Sequence, residues 1–423
     1  MSSALGDIVI TGSGVIAPLG HDPATLLGAL CAGRTAVAPV TAFDASPFPC
    51  RVAAAVSGFD PRQFVKSRRD LKLMTPAVQF GMAALSLACT DGGVPYESLD
   101  PERLGLFVGA GTAFGDTYDL VPAIEAGFGE DGFDLHRFAV DGTRQVSPLW
   151  LLKGLSNNVL GFGSAVLDAR GTNQNYCNSA VGGLQAIGEA AWALAEGTAD
   201  VIVAGGADSA VNPAHFTGFG RLDMLTAGTG ADAVRPFSVD HDGFAPGEGA
   251  AFFVLETRAH AEARGARVHG RVCGYGNGCA AHVLPSCDPE TIAAAGRRAL
   301  ETAGWAPSEV DVVFAHGNAT PAFDDAEARA LALLFGEAGP AVTSGKAQLG
   351  HTIAASGPLA VACALEAGRV GRIPPVTGIT TVAPGASHLD LVRAPRQASV
   401  RRVLIHAAGL GGQTTFLALE IAP

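Results

Sequence analysis

Short apolar runs alternate along the chain with longer stretches whose apolar residues recur at helical spacing. The runs at residues 7–11, 104–109, 200–204, 250–255, 310–315 and 402–407 predict strands. Residues 76–89, 181–195, 289–303, 322–335 and 353–370 predict helices. Alternation of the two element types predicts α/β layers around a largely buried sheet. The helices at 181–195 and 353–370 are rich in Ala and Gly and poor in charge, so they are expected between sheets rather than on the surface.

The pattern repeats weakly within the chain. Leu106-Phe107-Val108-Gly109-Ala110-Gly111 and Val313-Phe314-Ala315-His316-Gly317-Asn318 each read as a strand running into a glycine-containing loop. Each is followed by one of the two small-residue helices. A strand with a glycine-rich end comes next, Val203-Ala204-Gly205-Gly206 in one case and Ala408-Gly409-Leu410-Gly411-Gly412 in the other. This predicts a duplicated α/β unit. No low-complexity linker separates the halves, so they should pack as one body with a site where they meet.

Composition narrows the function classes. Only 16% of residues are charged and 48% are hydrophobic, which excludes disorder. Glycine, 55 of 423 residues without a Gly-X-Y period, points to tight turns and close helix packing rather than collagen. A net charge of −12 argues against a nucleic-acid partner. The first residues run straight into the apolar Ile8–Ile10 without a signal-peptide pattern, and no membrane span is expected, so the default expectation is cytoplasmic. Eight cysteines form no CxxC or CxxxH pair, so no metal is expected, and they read as reduced, small core residues.

Three stretches could carry chemistry: Ala315-His316-Gly317-Asn318-Ala319-Thr320-Pro321, Gly345-Lys346-Ala347-Gln348-Leu349-Gly350-His351, and the helix start Asn178-Ser179-Ala180-Val181-Gly182-Gly183-Leu184. Two histidines at strand–loop junctions, with a lysine five residues before the second, could hydrogen-bond a carbonyl and stabilise an oxyanion. Either histidine alone is as well explained as a satisfied buried side chain.

Taken in order, these segments resemble the β-ketoacyl synthases of the thiolase superfamily. Ile10-Thr11-Gly12-Ser13-Gly14-Val15-Ile16-Ala17-Pro18-Leu19-Gly20 matches the opening strand and turn of that family. Arg235-Pro236-Phe237, Asp242-Gly243-Phe244 and Gly247-Glu248-Gly249-Ala250 match its central signature. His316-Gly317 with Thr320-Pro321, Lys346 with Gly350-His351, and Gly409-Leu410-Gly411-Gly412 match its two histidine motifs and its C-terminal glycine loop. The resemblance implies a thiolase-like fold of two βαβαβαββ halves in five layers, α-β-α-β-α. The halves would span 1–256 and 257–423, with a dimer and tunnel insertion at about 112–170. It also implies an edge strand near 173–177 that pairs across a dimer.

The resemblance implies decarboxylative condensation of carrier-bound acyl and malonyl groups. A cysteine at the start of the first buried helix takes the acyl group, and two histidines bind the malonyl thioester. Here the nucleophile position falls on Ala180, whose methyl cannot form a thioester. Cys177, three residues earlier, reads as a buried structural cysteine, and Ser179 would face away. One explanation is a Cys→Ala replacement in a condensing enzyme. The other is natural loss, as in the chain-length factors that pair with an active ketosynthase. Gly182-Gly183-Leu184, the run from Asp324 to Leu331 and Ile373-Pro374-Pro375 resemble the chain-length-factor pattern. Asn318 stands where the family has Thr, and Ala408 and Leu410 where it has aromatic gate residues. Against natural loss, many chain-length factors lack the histidines that this chain keeps. A third possibility is malonyl decarboxylation by His316 and His351 alone.

By the same resemblance Lys346 and Glu327 would support the histidines, with Glu327 expected to pair with Lys346. Ala408, Gly409, Leu410, Gly411 and Thr320 would line the substrate gate. Lys66, Arg68, Arg69 and Lys72, the densest basic cluster, would dock the acyl carrier protein. Substrates would arrive on the carrier's phosphopantetheine, with no other cofactor. The expected partners are the carrier and a cysteine-bearing ketosynthase, or a second copy of this chain.

Overall fold

The computed structural model describes residues 5–94, 96–111, 117–281, 284–336 and 338–422. Residues 112–116, the start of the predicted insertion, lie outside the described residues. The first half contributes strands β1 (Ile8–Ile16), β2 (Leu104–Ala110), β3 (Asn173–Tyr176), β4 (Val201–Ser209) and β5 (Glu248–Thr257). The second contributes β6 (Gly270–Cys279), β7 (Val312–Phe314), β8 (Ala341–Thr343), β9 (Arg402–Ala408) and β10 (Gln413–Ile421). The principal helices are α1 (Pro76–Asp91), α2 (Gly182–Ala195), α3 (Pro289–Ala303), α4 (Pro321–Phe335) and α5 (Ser356–Val370).

The duplication holds for five strands in each half, and the second half adds a short edge strand, Asp390–Leu391, paired parallel to β8. Across the first half the strands lie in the order β3-β2-β4-β5-β1, and across the second β8-β7-β9-β10-β6, so each half is third-second-fourth-fifth-first. The first two contacts in each half are parallel and the last two antiparallel. Three residue pairs, Ile8 with Val272, Val9 with Arg271 and Ile10 with Gly270, join the half-sheets.

Helices α2 and α5 lie between the halves, and their residues form one core with the inner faces of both half-sheets. Helix α1 covers the outer face of the first half, and α3 and α4 that of the second. These are the five layers expected. The segment Ile353–Val370 is long and apolar enough by composition to cross a bilayer, yet 72% of it is buried inside the chain, as suits the central helix of the core.

A strand that sequence reasoning missed shows what some of the glycines do. β6, absent from the predicted strands, carries Gly274 and Gly276, and α3 lies directly on it. A Cβ at Gly274 would sit 2.0 Å from the Ala299 carbonyl oxygen, and one at Gly276 2.1 Å from that of Ala295. β1 repeats the device under α1: a Cβ at Gly14 would sit 2.0 Å from the Ala84 oxygen. Gly14→Ala should therefore push α1 off the sheet and destabilise the protein by about 1–3 kcal/mol. Gly28→Ala, in the helix Pro23–Cys31 with nothing near its added methyl, should be neutral or stabilising by up to about 1 kcal/mol. Thermal unfolding of the two variants checks the contrast.

Candidate active site

The first element of the site is the turn into α2. After β3 the chain passes through a 3-10 turn, Ser179–Val181, with Ser179 at φ +50°, and enters the 14-residue helix. Ala180 in this turn is 1% exposed. Its side chain stands at the amino end of α2, where free N–H groups and the helix dipole favour negative charge. The second half repeats the device: Ile353, at φ +45°, opens the turn Ile353–Ala355 into α5. The two turns pack on each other, and a Cβ at Gly183 would lie 2.2 Å from the Ala354 oxygen. The turn holding Ala180 also packs against β9.

Cys177 is exposed rather than a buried structural cysteine. It follows the last residue of the edge strand, and its Sγ accepts from the Asn175 side chain at 3.2 Å. That strand ends the sheet, and Cys177 lies just past its last residue. Cys279 is exposed too and Cys287 half-buried, so the reading of all eight as core residues holds for Cys31, Cys50, Cys89, Cys273 and Cys363 only.

The second element is the loop after β7. Helix α4 sends two carboxylates back into it. Glu327 accepts from the backbone N–H of His316 and of Gly317, both at 2.7 Å. Asp324 accepts from Asn318 N–H and Ala319 N–H at 3.1 Å and from Phe237 N–H at 2.7 Å. The Asp324 oxygen on Phe237 also lies 3.2 Å from His241 Nδ1. The Arg-Pro-Phe signature is thus an anchor for this loop.

Glu327 does not pair with Lys346 as expected. Its third partner is His406 Nδ1, at 2.5 Å, while the Lys346 ammonium donates to the His316 carbonyl oxygen. The two charges bracket the same backbone segment instead of meeting, because a buried carboxylate needs several donors and the loop amides supply them. Burial would raise the Glu327 carboxyl, but His406 and the two amides outweigh it and hold it below its ordinary value. Burial lowers the Lys346 ammonium to about 8 against the opposing pull of Glu327 and Asp324.

The third element brings His351 beside His316, with ring centroids 5.3 Å apart at 83°. The central signature holds it. His351 N–H donates to the Ala245 oxygen at 2.8 Å, Gly247 N–H to the His351 oxygen at 3.0 Å, and Phe244 meets the imidazole edge-on at 4.8 Å. Thr320, Asn318 and both histidines are buried. Four of their polar atoms have no partner: His316 Nε2, His351 Nδ1, Asn318 Nδ2 and Thr320 Oγ1. Buried polar groups are normally satisfied, so this cluster marks where a polar ligand fits. Ala408 N–H donates to His316 Nδ1 at 3.2 Å, which leaves the proton of a neutral ring on Nε2. Phe244, Phe323, Ile353, Ala408 and Leu410 supply apolar walls.

Burial, and then the charge of Lys346, hold both histidines well below their ordinary pKa, and burial lowers His215 to about 4. The unfolded chain takes up protons on these residues near pH 6.5, which the native state refuses. Native stability should therefore be fully present above about pH 6.5 and fall as pH drops below it. Thermal unfolding at pH 5 and pH 7 measures the loss, which should shrink in a His316→Asn, His351→Asn double variant.

Of the gate residues, Ala408 ends β9 and touches His316, and Leu410 packs beside Phe219 and Phe323. Gly409 and Gly411 form a turn tied to Gln413. Lys66, Arg68, Arg69 and Lys72 are exposed, on and around the short helix Arg68–Leu71. Lys72 also lines a cavity of about 350 Å³ at the carboxyl ends of β2 and β4, together with Ala110, Asp208, His215 and Lys153. His406, His241 and Asp324 were missed as site residues; His406 is a lone His in an apolar strand and carries no local signal. Among the described residues no group of three or more His, Cys, Asp or Glu is arranged to hold a metal.

Comparison with known proteins gives the following. Residues 6–261 match the family model for the β-ketoacyl synthase N-terminal domain and residues 269–380 the model for its C-terminal domain. The chain is 33% identical over 420 residues to the 3-oxoacyl-(acyl-carrier-protein) synthase 2 of Coxiella burnetii, covering 98% of each. Among solved structures it is similar to the ishigamide ketosynthase/chain length factor, with TM-score 0.88 and 29% identity over 99% of this chain and 100% of that one. It is also similar to a β-ketoacyl synthase from Burkholderia phymatum, with TM-score 0.88 and 28% identity over the same shares.

Proposed function

The chain belongs to the β-ketoacyl synthase family, and from that premise we propose that it is a non-condensing, chain-length-factor-like subunit that pairs with a cysteine-bearing ketosynthase in bacterial type II polyketide or fatty-acid-type assembly. The observation that carries this reading is the methyl group of Ala180, 1% exposed at the amino end of α2 beside an otherwise furnished site. Condensation needs a nucleophile there, and a methyl offers none. The further departures at Asn318, Ala408 and Leu410 favour divergence of the whole site over replacement of one residue.

Two surfaces support a partner. The strand β3 has a free edge, which invites pairing. Residues 118–166, part of which packs on β2 and β3, expose Phe128, Phe133, Leu135, Leu149, Leu151 and Leu155. A concentration of exposed apolar side chains of this kind marks a protein interface. In the assembled pair, the 350 Å³ cavity would take part of the growing chain, and Lys66, Arg68, Arg69 and Lys72 would meet the acidic carrier.

The unpartnered nitrogens of His316 and His351 favour a second capability. Two hydrogen bonds to a malonyl thioester oxygen would stabilise the enolate left by loss of carbon dioxide, at about 3 kcal/mol for each donor. One experiment separates the readings. The chain is purified with and without a co-expressed cysteine-bearing ketosynthase and given acyl- and malonyl-carrier protein. A heterodimer that alone makes extended product is the expected result. A stable homodimer that never associates with the ketosynthase overturns the partner reading. Acetyl-carrier protein formed by the chain alone identifies decarboxylation.

A further inference from the structure

We propose that His406, which lies outside every motif quoted above, is a positioning residue that fixes the orientation and tautomer of His316. Two tethers run from β9 to that histidine. His406 Nδ1 lies 2.5 Å from Glu327 Oε1, and the two Glu327 oxygens hold the backbone N–H groups of His316 and Gly317 at 2.7 Å. Two residues along the same strand, Ala408 N–H donates to His316 Nδ1 at 3.2 Å. The backbone and the ring of His316 are therefore referenced to one rigid element. Lys346 completes the arrangement by donating to the His316 carbonyl oxygen.

His406 is itself locked. Its Nε2 lies 2.9 Å from Thr414 Oγ1 on β10, and its ring stacks on Phe416 at 4.3 Å and 12°. Both ring nitrogens are used and one face is covered, so the ring cannot turn without losing a bond. Beside the His316 ring, 6.1 Å away, the other neighbour is Phe416, which belongs to the apolar core between the second half-sheet and its outer helices. A hydrophobic residue would pack there at no desolvation cost, so the imidazole is explained by its polar contacts. The consequence reaches the site. With Nδ1 accepting from Ala408, the neutral His316 ring presents Nε2–H to a ligand. Burial first, then Lys346, His351 and His406, disfavour a second proton on it. If the Glu327 anchor loosens, the loop carrying His316 moves away from Ala408 and both tautomers become accessible.

The inference rests on reading His316 as a donor, not on the identity of any partner. The test follows the histidine Cε1 and ring-nitrogen NMR signals of the full chain, labelled in its 11 histidines, across pH 5.5–9. Assignment of His316 comes from a His316→Asn variant. In the unaltered chain His316 should stay neutral, with Nε2–H favoured by about tenfold, the worth of one hydrogen bond. His406→Leu should bring the tautomers towards parity and raise the pH at which His316 titrates. His406→Gln keeps a donor for Glu327 and an acceptor for Thr414, and should restore the tautomer but not the titration. His406→Asn, one methylene shorter, should behave as the Leu variant, which keeps the test available if the Leu variant does not fold. Phe416→Leu removes only the stacked ring and should leave the tautomer alone. Unchanged His316 signals in folded His406→Leu or His406→Asn protein overturn the proposal. None of these spectra needs a carrier or a ketosynthase, so a failed complementation leaves this result standing.

Discussion

Ala180→Cys should take up one acyl group at residue 180 from an acyl-carrier protein, while the unaltered chain takes up none. The all-or-none contrast follows from chemistry, since a methyl cannot be acylated and a thiolate can. Two effects compete over the new thiol. Burial in this core raises thiols strongly, as it raises Cys89 and Cys363 to about 12. The amino end of α2 acts the other way, by up to about 2 kcal/mol in a partly buried setting. Acylation needs only a small thiolate fraction, because the acylated product accumulates.

Intact-mass spectrometry with peptide mapping reads the outcome. Acylation elsewhere, at the exposed Cys177 for instance, would show that residue 180 is not the vacated position. Acylation at 180 without extension by malonyl-carrier protein fits a subunit that works only beside a ketosynthase. Extension by the isolated variant would overturn the partner reading in favour of a condensing enzyme whose cysteine has been replaced.

Glu327→Ala should be the most damaging substitution in the site for stability, at about 3–5 kcal/mol. It removes the acceptor for the His316 and Gly317 amides and for His406, and leaves Lys346 without its nearest opposing charge. Every one of these groups is buried, so water cannot replace the lost partner. Glu327→Gln keeps one acceptor oxygen and the shape, and should cost less than half as much. Urea unfolding measures both. A loss below about 1 kcal/mol for the Ala variant would show that the loop holds itself without the carboxylate.

The layered architecture was legible from the apolar pattern because its two central helices are built from Ala and Gly. Helices of small residues this poor in charge suit a buried position, so 181–195 and 353–370 could be placed between sheets from the sequence. The histidine loops were legible through their glycines and their place at strand ends. β6 was not, because Gly274 and Gly276 deny it a strand-like pattern, and the reason for them is the Ala295 and Ala299 carbonyls of a helix that arrives from elsewhere.

The same limit applied within the site. The sequence grouped Ala180, His316, His351, Lys346 and Glu327 through its resemblance to the β-ketoacyl synthases, carried by the motifs around them. Which of them touch was decided by tertiary structure alone. Glu327 and Lys346, expected as a pair, take opposite ends of the His316 peptide segment. Glu327 also takes His406, a residue 79 positions away, and Asp324 takes Phe237, 87 positions away. Local pattern reports what a segment can form, because propensity and periodicity act over a few residues. The partners of a buried charge are chosen by what the folded chain brings within 3 Å, and no local run of residues encodes that.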